Sequence, residues 1–221
     1  MSYAQLFSPG ADFTVRVALA LVLGGLGATV YAAYVSNASA ATTGQGRFVE
    51  QPVPFSHAHH VGGLGIDCRY CHEYAWRSSH AGLPSSDTCM HCHKEIWTDA
   101  PMLEPVRESW RTGQPLMWRR VYELPEHVFF DHAAHVNGGV GCESCHGRVD
   151  RMPLMAQATP LQMQWCLDCH RDPGPNLRPP DAITALGWSR GREPTAQPEA
   201  LQALYQTPPA GYLTDCSACH R

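Results

Sequence analysis

All ten cysteines of this chain fall into five pairs, and every pair has the form C-x-x-C-H. Two thiols three positions apart reach the two vinyl groups on one edge of a haem, and the next histidine lies under the iron as an axial ligand. Zinc sites, disulfides and redox dithiols also use paired cysteines, but none of them requires histidine directly after the second cysteine. The motifs therefore predict five covalently attached haem c groups.

The motifs also name the residues that would hold each haem. The cysteines expected to form thioether bonds are Cys68, Cys71, Cys89, Cys92, Cys142, Cys145, Cys166, Cys169, Cys216 and Cys219. The expected proximal iron ligands are His72, His93, His146, His170 and His220. Because c-type haems are attached outside the cytoplasm, the haem-bearing part is expected on the periplasmic side.

Two stretches of the chain share the pattern F-x-H-x-x-H-V, a glycine turn, and then two haem motifs that begin 21 or 24 residues apart. This pattern indicates a duplicated two-haem unit. Each copy supplies two histidines at positions i and i+3, which project from the same side of a helical turn. They are the expected distal ligands: His57, His60, His132 and His135. Iron with two histidine ligands has no open position, which favours electron transfer over catalysis on a substrate.

The remaining histidines, which are His59, His80, His91 and His127, do not follow the repeat and are interpreted as incidental. One iron then has no obvious sixth ligand. The alternatives are His59, His80 or His127, an open site, or a methionine. Methionine is favoured because Met152 and Met155 lie on a proline-interrupted segment between two haem motifs, and His/Met ligation would raise the potential of an exit haem. Met152 is preferred, ahead of Met155 and Met163.

The N-terminal segment has no charged residue from 17 to 46, and its apolar part, 17–35, is long enough to span a membrane. A cleaved signal peptide and a retained anchor both fit this pattern. The stretch is longer than a usual signal core, so we expect an anchor in the bacterial inner membrane, with residues 1–16 in the cytoplasm. Gly24 and Ala28 have the spacing of small residues that allow close helix packing.

The rest of the chain divides by composition. We expect a linker at 36–50, a first two-haem unit at 51–100, a connecting segment at 101–126 with a short helix near 103–111, and a second unit at 127–171. A proline-rich arm at 172–221, with a short helix near 199–205, would carry the fifth haem away from the units. The predicted fold class is a single N-terminal transmembrane helix plus a mostly irregular, short-helix multihaem cytochrome c domain organised around haems.

Charge and composition exclude one function class and leave two questions open. The net charge is −4 without a basic run, which gives nucleic acid nothing to bind. Only Lys94 of the 16 basic residues is a lysine. The arginines fit haem propionates, but compositional bias explains them equally. Trp110 and Trp118 in the connecting segment could anchor a partner or contact porphyrin.

Several strings carry a resemblance to known proteins. The F-x-H-x-x-H pattern before C-x-x-C-H resembles multihaem cytochromes of the c3 and c7 kind. The strings FSHAHHVGGLGIDCRYCH, EPVRESW, HVNGGVGCESCHGRVDRMPLM and LQMQWCLDCHR resemble, more specifically, the pentahaem subunit of bacterial alternative complex III, a quinol oxidoreductase. This resemblance covers nearly the whole chain.

The resemblance implies partners and a pairing of ligands. The expected partners are integral-membrane quinol-binding subunits, an iron–sulfur subunit that delivers electrons, and a monohaem cytochrome c. A soluble cytochrome c, a copper protein or an attached oxidase would accept the electrons. The c7-like pattern implies His57 opposite His72 and His132 opposite His146, then His60 opposite His93 and His135 opposite His170. The alternative is a stand-alone membrane-anchored quinol dehydrogenase of the NapC/NirT type.

Overall fold

The computed structural model describes residues 8–220 and divides the chain into two compact units, which meet in sequence between Gly44 and Gln45. The first unit is mainly the 30-residue helix α1, Pro9–Ala38, followed by the short helix α2, Ala40–Thr43. Proline suits the first helical position because its missing N–H has no partner there and its φ is already helical.

Helix α1 is about 45 Å long at 1.5 Å per residue, which exceeds the thickness of the hydrocarbon core. Among the described residues it is the one helix long and apolar enough to cross a membrane, with a mean hydropathy of 1.8. Its apolar side chains are exposed, including Leu21 and Tyr34. The predicted segment 17–35 lies within this helix. The expected cytoplasmic residues 1–16 lie in part outside the described residues.

The second unit is built from short helices joined by irregular segments. Its α-helices are α3 Cys68–Cys71, α4 Ser86–His93, α5 Glu104–Thr112, α6 His132–Asn137, α7 Cys142–His146, α8 Met163–Arg171, α9 Pro198–Leu204, α10 Ala210–Leu213 and α11 Cys216–Cys219. A π-helix spans Ala58–Gly63. The 3-10 helices are Glu73–Trp76, Pro101–Leu103, Val149–Arg151, Gly174–Asn176, Pro180–Ala182 and Pro194–Ala196. The predicted fold class is confirmed in this form, with short irregular helices and one long apolar N-terminal helix.

Such short helices need support from outside themselves, because a single turn is not stable alone in water. Part of that support is local. The side chains of Asp67, Asp131 and Asp215 cap α3, α6 and α11 by accepting hydrogen bonds from backbone N–H groups of the first turn. Each cap begins a helix that carries a C-x-x-C-H motif or a pair of the expected distal histidines.

The connecting segment contributes the apolar core beside α4. Val53, Met90, Leu103 and Val106 form a buried cluster, and Trp118 packs against it. The predicted helix near 103–111 is present as α5. Trp110 lies on this helix and donates a hydrogen bond from Nε1 to Asp87 on α4, at 2.9 Å. Both tryptophans therefore have structural contacts within the chain.

The proline-rich segment differs from the expectation. It does not run away from the two-haem units but folds back on the second one, so the predicted extended arm is wrong in this respect. Gly141 N donates to the carbonyl of Asn176, and Cys142 N donates to that of Ile183. The reason is burial: Leu177 and Leu201 are almost fully removed from solvent, which stabilises the folded-back segment through the hydrophobic effect.

One ion pair fixes this segment to the second unit. The Arg178 guanidinium is buried, donates to Glu143 at 3.0 Å and also bonds the carbonyl of Ala185. Glu143 lies between the two cysteines of the third haem motif. The sequence left open whether the arginines pair with haem propionates. Arg178 pairs with a carboxylate of the chain itself.

Candidate haem-binding sites

Each C-x-x-C-H motif forms a helical turn that places both cysteines on one side. The cysteine pairs lie within α3, α4, α7, α8 and α11. Residues three apart in a helix are neighbours on its surface, so each thiol pair points the same way. The structure therefore gives every motif the local form that attachment to one haem edge requires.

The two distal-histidine turns have the same ring geometry. Phe55 meets His57 edge-on at 4.9 Å and stacks on His60 at 4.4 Å. Phe130 meets His132 edge-on at 4.8 Å and stacks on His135 at 4.5 Å. The phenylalanine of each F-x-H-x-x-H pattern thus holds both imidazoles of its turn.

These turns face the histidines of the motifs at the spacing of two ligands on one metal. An imidazole nitrogen binds a metal at about 2 Å, so two rings on opposite sides of one iron have centroids about 6 Å apart. The centroid distances are 6.3 Å for His132 and His146, and 6.0 Å for His135 and His170. The distance for His60 and His93 is 6.3 Å. All three are pairs that the c7-like pattern implies, and all three fit haem iron.

The fourth implied pair is His57 and His72. Both lie near His146 and His132 in a group of histidines. Burial, followed by the nearby His72 and His60, lowers the pKa of His57 to about 4. Burial, followed by His132, His72 and His57, lowers the pKa of His146 to about 4. Neutral imidazole is the form that binds a metal. The buried Nδ1 of His57 has no hydrogen-bond partner in the described structure.

Seven of these histidines share a backbone contact that fixes the ring. In each, Nδ1 lies 2.7–3.3 Å from a backbone carbonyl oxygen. The histidine and carbonyl pairs are His60 with Ser56, His72 with Gly82, His93 with Ile96, His132 with Ser79, His135 with Asp131, His170 with Leu213, and His220 with His127. An Nδ1–H bond to a carbonyl leaves Nε2 as the metal-binding nitrogen, which is the usual outer-shell arrangement of a ligating histidine.

The histidines interpreted as incidental have different contacts. His91 Nδ1 lies 3.0 Å from the Tyr70 hydroxyl, and His80 Nδ1 lies 3.0 Å from Ser79 Oγ. The His59 ring lies 5.8 Å from that of Trp97. His127 is the exception, because its ring lies 5.6 Å from that of His220. The repeat gave no signal for it, since His127 precedes the F-x-H-x-x-H pattern.

Two of the methionine candidates make backbone contacts with the segment at 49–58. The Met152 carbonyl accepts a hydrogen bond from Ala58 N at 3.0 Å, and the Met155 carbonyl accepts one from Val49 N at 3.1 Å. The Met163 side chain is largely exposed. Ligation by Met152 remains a prediction.

The first distal-histidine turn packs against the second haem unit. The π-helix Ala58–Gly63 lies beside the 3-10 helix Val149–Arg151, which follows the third motif. A Cβ added at Gly62 would collide with the backbone oxygen of Asp150, so only glycine permits this approach. Asp150 and Met152 are the fourth and sixth residues after His146.

The second turn makes the matching contact with the first unit. Ala133 N donates to the carbonyl of Ser78 at 3.1 Å, and Asn137 Nδ2 donates to that of Trp76 at 3.0 Å. Trp76 and Ser78 are the fourth and sixth residues after His72. The two units therefore interlock reciprocally, each turn packing on the segment after the other unit's first haem motif.

This interlock brings the first and third motifs together. The thiols of Cys68 and Cys142 lie next to each other, and their interaction lowers the pKa of Cys68 and raises that of Cys142. Within the first unit, burial raises the pKa of Cys71, and the nearby Cys89 thiol of the second motif adds to the rise. The first motif thus adjoins both the second and the third.

The third and fourth motifs also lie next to each other, and the fifth motif lies next to the fourth. Burial, with Cys169 and Cys166 nearby, raises the pKa of the Cys145 thiol to about 12. Burial also raises the pKa of Cys166, and the Cys219 thiol of the fifth motif contributes. The motifs therefore follow one another in space as second, first, third, fourth and fifth.

A cavity of about 820 Å³ opens beside Cys71 between α4 and α5. Tyr74, Trp110 and Trp118 are among the residues that line it. Its volume falls in the range of cofactor and ligand pockets. The cavity thus has aromatic walls beside Cys71 of the first motif.

A known protein is similar to this chain over part of its length. No family model matches the chain. A protein named as the multihaem cytochrome c subunit of menaquinone reductase, from Nitratidesulfovibrio vulgaris strain Hildenborough, is 39% identical over 98 residues. The match covers 44% of this chain and 46% of that protein, so the chain spans about half the length of the relative. The similarity supports a multihaem cytochrome family and haem c as the cofactor.

Proposed function

We propose that this chain is a pentahaem electron-transfer subunit of a membrane quinol oxidoreductase. The observation that carries the proposal is the set of imidazole pairs about 6 Å apart, in which one ring of each pair belongs to a C-x-x-C-H motif. Five motifs would hold five haem c groups. Haem iron, when bound, accepts and releases one electron at a time.

The residues of the chain hold and orient the haems. Backbone carbonyls fix seven of these rings through Nδ1, which would leave Nε2 available to hold haem iron. Phe55 and Phe130 keep the distal rings in place. Two histidines on one iron exclude water and substrate from it, which restricts such a haem to electron transfer.

The spatial order of the motifs supports a single electron path. It runs from the second motif through the first, third and fourth to the fifth. The path would pass from the first two-haem unit to the second where Cys68 lies next to Cys142. The reciprocal packing of the two units holds these cysteines together. Electrons would enter at one end of this series and leave at the other.

The finer assignment rests on the resemblance to alternative complex III and on the relative's printed name, which is that of a quinone-linked complex. The partners would be integral-membrane quinol-binding subunits, an iron–sulfur subunit and a monohaem cytochrome c. Helix α1 would anchor the chain in the inner membrane with its N-terminus inside and the haem domain in the periplasm.

A second function, the NapC/NirT type of quinol dehydrogenase, shares the long apolar N-terminal helix. It would require a quinol site on this chain itself. The two functions are distinguished by giving a reduced quinol analogue to the purified holo-chain without its partners. Haem reduction only in the presence of the partner subunits supports the first function, and rapid reduction of the isolated chain supports the second.

Intact-mass spectrometry of the denatured holo-chain tests the haem count. We expect the mass of the polypeptide plus five haems, and four haems when Cys216 and Cys219 are both replaced by alanine. Replacing Ser217 alone, between these cysteines, should leave five. Fewer than five haems on the natural chain would contradict the proposal.

A further inference from the structure

We propose that Tyr122, in the connecting segment, is a positioning residue of the third haem site. Its ring holds the imidazole of His146, the implied proximal ligand there, in a near-parallel orientation to that of His132. This inference rests on the proposed function, because it presumes a haem at the third motif. The sequence patterns pointed only to the tryptophans of this segment, so the role of Tyr122 follows from the tertiary structure alone.

The Tyr122 hydroxyl is fixed to the backbone on two sides. It donates to the carbonyl of Cys145 at 3.2 Å and accepts from Ala158 N at 2.8 Å. The Cys145 carbonyl belongs to the peptide group that joins Cys145 to His146. The hydroxyl is therefore bonded to the backbone that carries the ligand ring.

The Tyr122 ring contacts this imidazole directly. The ring centroids of Tyr122 and His146 are 4.6 Å apart and their planes meet at 64°. This is the edge-to-face arrangement that aromatic rings favour. Because the hydroxyl holds the phenol ring in place, the contact limits rotation of the imidazole.

The other four motif histidines are restrained differently. Each has Nδ1 at 2.8–3.3 Å from a backbone carbonyl oxygen, and they are His72, His93, His170 and His220. Among the described residues, no backbone carbonyl makes this contact with His146. Tyr122 thus supplies at the third motif the restraint that a carbonyl supplies at the others.

The opposite ring of the third site is restrained as well. His132 Nδ1 lies 3.1 Å from the carbonyl oxygen of Ser79. The ring planes of His132 and His146 are 11° apart, against 28° for the pair at the fourth motif and 67° for the pair at the second. The most parallel of these three pairs is therefore the one in which Tyr122 contacts a ligand ring.

The segment that presents Tyr122 is anchored on the first two-haem unit. The Gln51 side chain accepts a hydrogen bond from Arg119 N at 2.8 Å and donates one to the Arg119 carbonyl at 2.9 Å. Trp118 packs against the apolar cluster beside α4. A residue held by the first unit therefore positions a ligand of the third motif, where the proposed electron path passes between the units.

The test uses the full-length holo-chain in its complex and follows the rhombic paramagnetic resonance signal of the third haem, which is identified by its loss in His132→Ala. The g values of low-spin ferric haem depend on the angle between the two ligand planes. In Tyr122→Leu, which removes the ring and the hydroxyl, the largest g value of this signal should increase, because the planes are no longer held near parallel. Tyr122→Phe keeps the ring and should give a smaller increase.

Tyr205→Leu is the matched control. Tyr205 also donates its hydroxyl to a backbone carbonyl, that of Arg178 at 2.8 Å, but its ring lies against Gly139. This variant should leave the signal of the third haem unchanged.

Two results would overturn the inference. One is an unchanged third-haem signal in Tyr122→Leu, and the other is an equal shift of all low-spin signals in that variant, which would mean a general loss of packing. The haem count by mass should remain five in every variant. Fewer than five haems on the natural chain would instead contradict the proposed function, so the two failures are distinguishable.

Discussion

The imidazole rings of His60 and His93 lie 6.3 Å apart with their planes twisted by 67°. The rings of His132 and His146 have the same separation but are within 11° of parallel. The two pairs therefore share a spacing without sharing an orientation, and the counterpart of His60 and His93 in the second unit, His135 and His170, has planes 28° apart. Ligand-plane orientation controls the electronic state of low-spin ferric haem.

Ring orientation predicts which haem gives which paramagnetic resonance signal. Twisted imidazoles give a low-spin spectrum with one large g value, whereas near-parallel imidazoles give a rhombic spectrum. We expect the large-g signal to come from the second motif. His60→Ala should abolish it and produce one high-spin haem, while the rhombic signals persist.

His59→Ala is the matched control, because His59 is adjacent to His60 but stacks on Trp97. It should leave the spectrum unchanged. A large-g signal that survives His60→Ala would show that His60 does not bind this iron.

The close approach at Gly62 predicts a specific loss of stability. A methyl group there would meet the backbone oxygen of Asp150, and overpacking of this kind costs about 1–3 kcal/mol. Gly62→Ala should lower the free energy of unfolding of the holo-chain by this amount in a denaturant titration. The neighbouring Gly63→Ala is the control, since a Cβ there meets only Ala58 O at 3.8 Å. Equal stabilities of the two variants would argue against the interlock.

The Arg178 and Glu143 pair predicts how strongly the C-terminal segment is held. Removing one partner of a buried ion pair costs about 3–5 kcal/mol, because the other charge remains buried. We expect Arg178→Met to lower the free energy of unfolding by about 3 kcal/mol, since the side chain of Glu143 is partly exposed. Arg111→Met breaks the exposed pair with Glu108 and should cost about 1 kcal/mol or less. A cost for Arg178→Met as small as this would mean that the pair is not buried in solution.

Helix α1 predicts an effect on assembly. Gly24 has open space around it, and a leucine there would block close contact with a partner helix. Gly24→Leu should weaken recovery of the partner subunits in detergent while the holo-chain keeps its haems. Ala33→Leu, which lies on the opposite face of the helix, should not weaken it. Intact assembly in Gly24→Leu would exclude this face as an interface.

The sequence by itself determined every feature that depends on local spacing. C-x-x-C-H sets the thiol pair within one helical turn and the histidine directly after it, so the five proposed attachment sites could be read from the sequence. The apolar segment 17–35 could also be recognised from neighbouring residues alone, and it lies within α1. The F-x-H-x-x-H pattern placed two imidazoles on one turn, and Phe55 and Phe130 fix them in the structure as that pattern suggests.

Only the tertiary structure decided which elements meet. The return of the proline-rich segment depends on burying Leu177 and Leu201, and no pattern along the chain encodes where they are buried. His127 approaches His220 through a bridge between segments about ninety residues apart in the sequence. The two units pack closely at Gly62 because glycine has no side chain that would meet the backbone oxygen of Asp150. A proposed sixth ligand lies outside the motif of its haem, so chain packing decides which residue it is, whereas the proposed proximal ligand follows from the motif itself.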